Sequence, residues 1–494
     1  MNEVKNELTV APGIGDGGTA RRLFWNYVVL FGGSLGGQIM FLLGLLYLAR
    51  MLGPAGFGKW TFAQAVMLYA LRGGELGLEV VGIRETSRSP DLIPRWITRV
   101  IVARLGLAII LTIVLVIASL LNVFPNDSGR LVVTFSLLIL PSAFILEWVF
   151  ESRQRLGLVS VARLMKGALF VLLVVAFINP SSSIFVSAVA YVASVTIPIV
   201  FVGSQAIRRY GIDRTFPTIR ETIAMVRESL PIGAATLLSQ YSLFACTIAV
   251  AYFCLPEQLG FFNAAHRIII FAWAYGIVTS VRVVLPTLSR YAALSRSKFD
   301  LFVSRFLRLA LIAATAVGLG GVTVAPDLVR MLFSSSYDES IRVFQVLVWA
   351  LALGMVCTIL EVALVAADRQ KVYLRGMALL ACLQTVFAPL LTLRWGIVGA
   401  AYSMLVSQIG YSVYLIRKSS EGNVRTIFSG WWKPLLAGAG ASILVVALHV
   451  PGRWIDTVVV LTLYIMLLIL MKALQKSDLD LLRRIFSGRR EVAS

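Results

Sequence analysis

Charges set inside long apolar runs are the residues of this sequence best placed to do chemistry. Arg72, Glu75 and Glu79 recur at i, i+3 and i+7 of one run, a spacing that puts them on one face of a helix. Asn263, His266 and Arg267 follow helical spacing in a second run, and Arg282 lies further along it. An ionisable group at bilayer depth is costly and normally faces a cavity or a partner. Arg72, Arg267 and Arg282 are therefore read as lining a cationic cavity. Gln38 is one of few polar groups in the first apolar run. Arg104, Arg163 and Lys166 sit nearer the ends of their runs and are expected to snorkel to water.

Other constellations fail on mechanism. Gly53-Pro-Ala-Gly-Phe-Gly58-Lys59-Trp60 almost spells a phosphate loop, but Trp60 stands where a hydroxyl would hold magnesium and no strand precedes it. Asp478-Leu479-Asp480 could hold a metal for glycosyl transfer, yet it lies in a short basic tail with no domain around it. His266 and His449 are too far apart in the chain to suggest a ligand cluster, and Cys246, Cys254, Cys357 and Cys382 show no metal spacing. No enzyme, cofactor or metal is expected.

The elements that carry these charges are membrane spans. The 494 residues are 58% hydrophobic and only 14% charged, with a mean hydropathy of +0.85, which excludes a soluble globular protein. A helix of about 20 apolar residues crosses a bilayer core and satisfies its own backbone there. The first span is Leu23 to Ala49, with no charge between Arg22 and Arg50. Thirteen more are placed near 60–83, 100–121, 131–150, 158–178, 184–206, 229–252, 258–286, 309–325, 343–366, 376–393, 396–416, 434–449 and 456–471. The fold class is an all-α polytopic membrane protein with about 14 transmembrane helices. The polar, Gly-rich start of the chain does not read as a cleaved signal peptide.

A net charge of +20 could suggest nucleic acid, but its distribution does not. With the N-terminus in the cytoplasm, 32 of the 45 Lys and Arg fall on the inner side, 7 on the outer side and 6 within spans. That is the positive-inside rule obeyed at nearly every loop, and it puts both termini in the cytoplasm. The remaining attraction is to anionic membrane lipid.

The chain also reads as a repeat. Pro54 and Gly58 before the second span match Pro256 and Gly260 before the eighth, each pair 202 residues apart. Leu146-Glu147 and Arg153-Gln154 after the fourth span echo Leu360-Glu361 and Arg369-Gln370 after the tenth. Six intervening spans preserve orientation, so the two halves are parallel copies about an axis along the membrane normal, an arrangement that places a substrate cleft between them. The expected domains are a disordered N-terminus (1–20), an N-terminal six-helix lobe (21–207), a cytoplasmic linker (208–228), a C-terminal six-helix lobe (229–418), helices 13 and 14 (419–475) and a basic tail (476–494). Gly32, Gly33, Gly36 and Gly37 form a small-xxx-small pattern in the first span, expected to serve close helix packing.

Leu48-Ala-Arg-Met-Leu-Gly-Pro-Ala-Gly-Phe-Gly58, followed by Glu75-Leu-Gly-Leu-Glu-Val-Val-Gly-Ile-Arg84-Glu85, resembles the N-terminal signature of polysaccharide transporters. These are the Wzx-type flippases of the multidrug/oligosaccharidyl-lipid/polysaccharide exporter superfamily. Leu332-Phe-Ser-Ser-Ser-Tyr337 resembles another segment these proteins share. The resemblance covers roughly residues 20–420. It implies a bacterial inner-membrane flippase for undecaprenyl-diphosphate-linked oligosaccharides, working by alternating access around a cationic cavity, with a polymerase and chain-length machinery as partners. In that reading Arg72, Arg267 and Arg282 neutralise the diphosphate, Glu75 and Glu79 tune them, and Gln38, Arg84, Asn263 and His266 complete the substrate-binding set. Spans 13 and 14 resemble those of lipid II flippases, though span 1 lacks the charge those proteins usually carry. The rivals are a cation-coupled multidrug exporter of the same fold and a multispan glycan polymerase or ligase. Buried arginines disfavour the exporter, because their field repels cationic drugs. The ligase normally needs a large outer loop, and the longest here is about 326–342.

Overall fold

A computed structural model describes residues 17–274, 288, 292, 296–419, 432–448, 453–471 and 473. The described residues are almost wholly helical and contain no strand. In chain order the helices are α1 (Gly17–Glu75), α2 (Leu78–Arg88), α3 (Ile93–Leu120), α4 (Gly129–Ser136), α5 (Ile139–Ser142), α6 (Glu147–Ser152), α7 (Leu156–Phe177) and α8 (Ile184–Tyr210). Then follow α9 (Ile219–Phe253), α10 (Pro256–Ala272), α11 (Arg296–Phe333), α12 (Ser340–Ala366), α13 (Gln370–Ser419), α14 (Trp432–Leu448) and α15 (Arg453–Leu470). Among the described residues nine segments are long and apolar enough to cross a membrane. Two of them, Phe31–Arg88 and Gln370–Ser419, each cover two of the predicted spans.

Both of these long segments bend where the sequence interrupts the helical backbone. In α1, Gly53 takes φ 64°, a left-handed value that costs glycine little, and Pro54 follows without an amide donor. In α13 the break falls at Trp395 and Gly396. The fourth span departs from the single helix expected over 131–150. It is divided into α4, α5 and α6, with turns at residues 137–138 and 143–144. Pro141 removes a donor, and Ser142 turns its hydroxyl onto the Ile139 carbonyl at 2.5 Å.

The chain packs as two compact units. The first comprises Met1–Leu48, Ala70–Leu120 and Val132–Gly233; the second comprises Ala49–Tyr69, Leu121–Leu131 and Ala234–Ser494. Residues 49–69 and 121–131 therefore group with the C-terminal half of the sequence.

In the first unit a core of Leu78, Ile97, Val100, Trp148, Val149, Phe150 and Val202 joins α2, α3, α6 and α8. The N-terminal part of α1 lies against α7 in a close backbone approach. A Cβ at Gly37 would collide with the Arg163 carbonyl, and one at Gly167 with that of Gly37. The small-residue pattern of the first span thus serves packing, except at Gly32, where nothing lies within 4 Å.

In the second unit α11, α12 and α13 surround a core that includes Val303, Cys357, Leu360, Tyr411 and Leu415. Helices α14 and α15 attach to α11 through Leu319, Ala437, Ala441, Val460 and Tyr464, and the Tyr464 hydroxyl donates to the Ile312 carbonyl at 3.1 Å.

Candidate functional site

The first unit holds a chain of ion pairs. Arg72 Nη1 meets Glu75 Oε2 at 2.6 Å on the last turn of α1. Leu76 and Gly77 then take left-handed φ values of 39° and 74°, which ends the helix and starts α2 on a new course. Glu79 consequently does not continue the face of Arg72 and Glu75, as an unbroken helix would require. Its carboxylate lies 3.6 Å from Arg104 Nη2 instead.

Arg104 is only 2% exposed and also donates from Nη1 to the Ile145 carbonyl at 2.8 Å. That carbonyl is freed by the break between α5 and α6, so the guanidinium caps a discontinuity in the fourth span. Arg163 spans Glu147 and Glu151, both at 3.2 Å, and reaches the Ser34 hydroxyl at 3.2 Å. Arg104 is buried in the unit, and Arg163 keeps 38% of its side chain exposed beside its carboxylates. Each is held by acidic partners within the unit, because a paired charge at this depth is far less costly than an unpaired one. Arg84 is exposed and binds Glu85 at 2.9 Å and Glu228. Gln38 is half-buried on α1.

The second unit holds a neutral network. Asn263 on α10 is buried; its Nδ2 donates to Thr61 Oγ1 at 2.8 Å and its Oδ1 accepts from Thr247 Oγ1 at 2.9 Å. The Thr61 hydroxyl in turn donates a shared hydrogen bond to the carbonyls of Phe57 and Gly58 at 2.9 and 3.0 Å. One turn on, Arg267 donates to the Gln64 side-chain carbonyl. His266 is buried beside the rings of Phe244 and Phe262, with centroids 6.3 and 5.6 Å away, and its Nε2 has no hydrogen-bond partner among the described residues. Arg282 lies outside the described residues.

These contacts rest on close helix approach. A Cβ at Gly58 would strike the Pro256 carbonyl, and one at Gly260 that of Pro54. The repeat-related prolines and glycines therefore pack on each other. The Tyr337 hydroxyl, in the Leu332–Tyr337 segment, donates to the Ala49 carbonyl at 2.8 Å, beside the Gly53–Pro54 break. Asn126, in the loop between α3 and α4, donates in the same manner to the Ala251 carbonyl at 3.2 Å.

The predicted set is thus divided. Arg72, Glu75, Glu79 and Arg84 belong to the first unit with Gln38; Asn263, His266 and Arg267 belong to the second. Thr61, Gln64 and Thr247 carried no charge to single them out. The repeat offset held the signal for one, since Thr61 and Asn263 are 202 residues apart.

The fold is shared with membrane proteins of known structure. Lipid II flippase MurJ, in an inward closed conformation, is similar over 92% of this chain and all of its own, with a TM-score of 0.73 at 12% identity. A MATE family multidrug resistance transporter of the MOP superfamily, inward-facing, is similar over 80% of this chain and 98% of its own, with a TM-score of 0.55 at 15% identity. Residues 23–292 match the family described as "Polysaccharide biosynthesis protein", and the chain belongs to that family. It is 24% identical over 322 residues to the "Putative O-antigen transporter" of Escherichia coli, covering 62% of this chain and 74% of that one. The protein is a multi-span membrane protein of the polysaccharide biosynthesis family.

Proposed function

We propose that this transporter moves undecaprenyl-diphosphate-linked oligosaccharide repeat units across the bacterial inner membrane, for surface or exopolysaccharide assembly. The observation that carries the reading is an arginine in each unit, Arg72 on the last turn of α1 and Arg267 within α10, on a chain whose family serves polysaccharide biosynthesis. A guanidinium offers a planar fork suited to phosphate oxygens. Gln64 leaves the charge of Arg267 intact, because an amide accepts a hydrogen bond without neutralising the donor. Arg72 is 41% exposed despite its pairing with Glu75. Arg282 joins them on sequence grounds alone.

The carrier operates by alternating access, with both termini in the cytoplasm, and hands its product to a polymerase. Deleting the gene should make lipid-linked oligosaccharide accumulate on the inner leaflet and leave resistance to cationic drugs unchanged. Raised sensitivity to cationic dyes with intact surface glycan would instead identify an exporter of drugs.

A further inference from the structure

The two repeats treat one acidic position in opposite ways. Leu146-Glu147 and Leu360-Glu361 are matched in the sequence, 214 residues apart. In the first unit Glu147 is neutralised by Arg163, whose Nη2 also meets Glu151. The match that follows, Arg153 with Arg369, is 216 residues apart, and that offset carries Arg163 to Leu379, which has no charge. No described cation pairs with Glu361. Its Oε1 accepts one hydrogen bond, 2.9 Å from the Tyr411 hydroxyl, and that hydroxyl lies 3.7 Å from the Met377 sulfur. The other titratable groups near the carboxylate are Tyr373, on the same helix as Tyr411, and Cys357, on the turn of α12 that precedes it. Cys357 and Tyr411 belong to the apolar core of the unit, whereas Glu361 itself is half-buried.

We propose that Glu361 is a proton-binding site through which this transporter is coupled to the proton gradient. Glu147 has a cation beside it in Arg163. Glu361 has none among the described residues, so a proton from solution is the counter-charge left to it. A bare carboxylate in such surroundings is costly, and uptake of one proton to give the neutral acid removes that cost. The carboxylic acid can still hydrogen-bond to the Tyr411 oxygen, so both forms are accommodated. A metal ion is a poorer occupant, because one carboxylate and one phenol offer too few oxygens. Among the described residues no group of three His, Cys, Asp or Glu side chains could hold one. The carboxylate lies in α12, five residues before its end at Ala366.

The inference rests on the transporter reading and is independent of which glycan is carried. Two measurements test it. In the full-length protein reconstituted in lipid vesicles, infrared difference spectra between mildly alkaline and mildly acidic buffer should show a protonated carboxyl band that is lost in Glu361→Gln and kept in Glu361→Asp. In cells, a protonophore should suppress glycan export by wild type and by Glu361→Asp, while Glu361→Gln, present at normal abundance, should have lost gradient-driven export. A band that survives in Glu361→Gln overturns the proposal. So does wild-type export that ignores the protonophore, or that stops when sodium alone is replaced by choline. If the wild type exports no lipid-linked glycan under any condition, the substrate reading fails, and the infrared titration still decides the role of Glu361.

Discussion

Thr61 and Asn263 occupy the same place in two copies of one repeat, 202 residues apart, and they hydrogen-bond to each other at 2.8 Å. A residue meets its own counterpart in this way only on or beside a local two-fold axis. The neighbouring contacts follow the same symmetry: Gly58 approaches Pro256 as Gly260 approaches Pro54.

This pairing can be tested by exchange. Thr61→Val or Asn263→Ala leaves buried partners unsatisfied and should cost about 1–3 kcal/mol. In detergent, a lowered melting midpoint would report it. The double exchange, Thr61→Asn with Asn263→Thr, keeps the pair across the axis and should recover part of the loss. A double variant no more stable than the worse single one would show that the two positions are not equivalent.

Backbone approach gives a second test. Gly58→Ala places a methyl against the Pro256 carbonyl and should destabilise by about 1–3 kcal/mol, the range for overpacking. Gly32→Ala, with open space around it, should be neutral or slightly stabilising, since alanine favours the helix by about 1 kcal/mol. Equal thermal stabilities for the two variants would contradict the contact.

Arg104 supports the broken fourth span. Arg104→Leu leaves the Ile145 carbonyl without its donor and the 38% exposed Glu79 without its cation, and should cost about 1–3 kcal/mol. Adding Glu79→Gln should restore some of this by removing the orphaned charge. Protein yield and melting midpoint measure both. A near-normal Arg104→Leu protein would mean that the cap on Ile145 is dispensable.

The proposed substrate site is tested at a different arginine. Arg267→Ala should abolish glycan export at normal protein abundance, and Arg267→Lys should rescue it only in part, since a point charge replaces a planar fork. Full export by the alanine variant would remove Arg267 from the binding set.

The loop at Asp213 gives a pH test. Its carboxylate accepts the Thr215 amide at 2.9 Å, and the backbone and hydroxyl of Thr215 hold it below its ordinary value of 3.8. A depressed carboxylate stabilises the loop above that ordinary value, and the stabilisation is lost as pH falls through the folded one. Limited proteolysis of residues 208–228 with an acid-active protease should therefore accelerate in strong acid. Asp213→Asn should be cut faster than wild type already at neutral pH. Identical cleavage profiles would count against the turn.

Hydropathy and the spacing of basic residues made the class and the places of the helices legible, because a bilayer imposes length and apolarity on every span. Pro54 and Gly58 exposed the repeat. The ion pairs were less legible. Glu79 fits the face of Arg72 in the sequence, and only the left-handed turn at Leu76-Gly77 sends it toward Arg104. Arg163 looks like a snorkelling residue until the break before α6 brings Glu147 and Glu151 to it. Neutral partners such as Gln64 carry no periodic or charge signal. Their roles emerge from which helices touch.

The grouping of residues 49–69 with 234–494 sets an order of assembly. The hairpin that carries Gly58, Thr61 and Gln64 leaves the ribosome about 200 residues before Pro256, Asn263 and Arg267 exist. At about 5–20 residues per second that is a wait on the order of ten to forty seconds. During that interval its polar groups need temporary partners, from the insertion machinery or from lipid headgroups. A fragment ending in the 208–228 linker would be left permanently in that state, so separately made halves should assemble only when produced together.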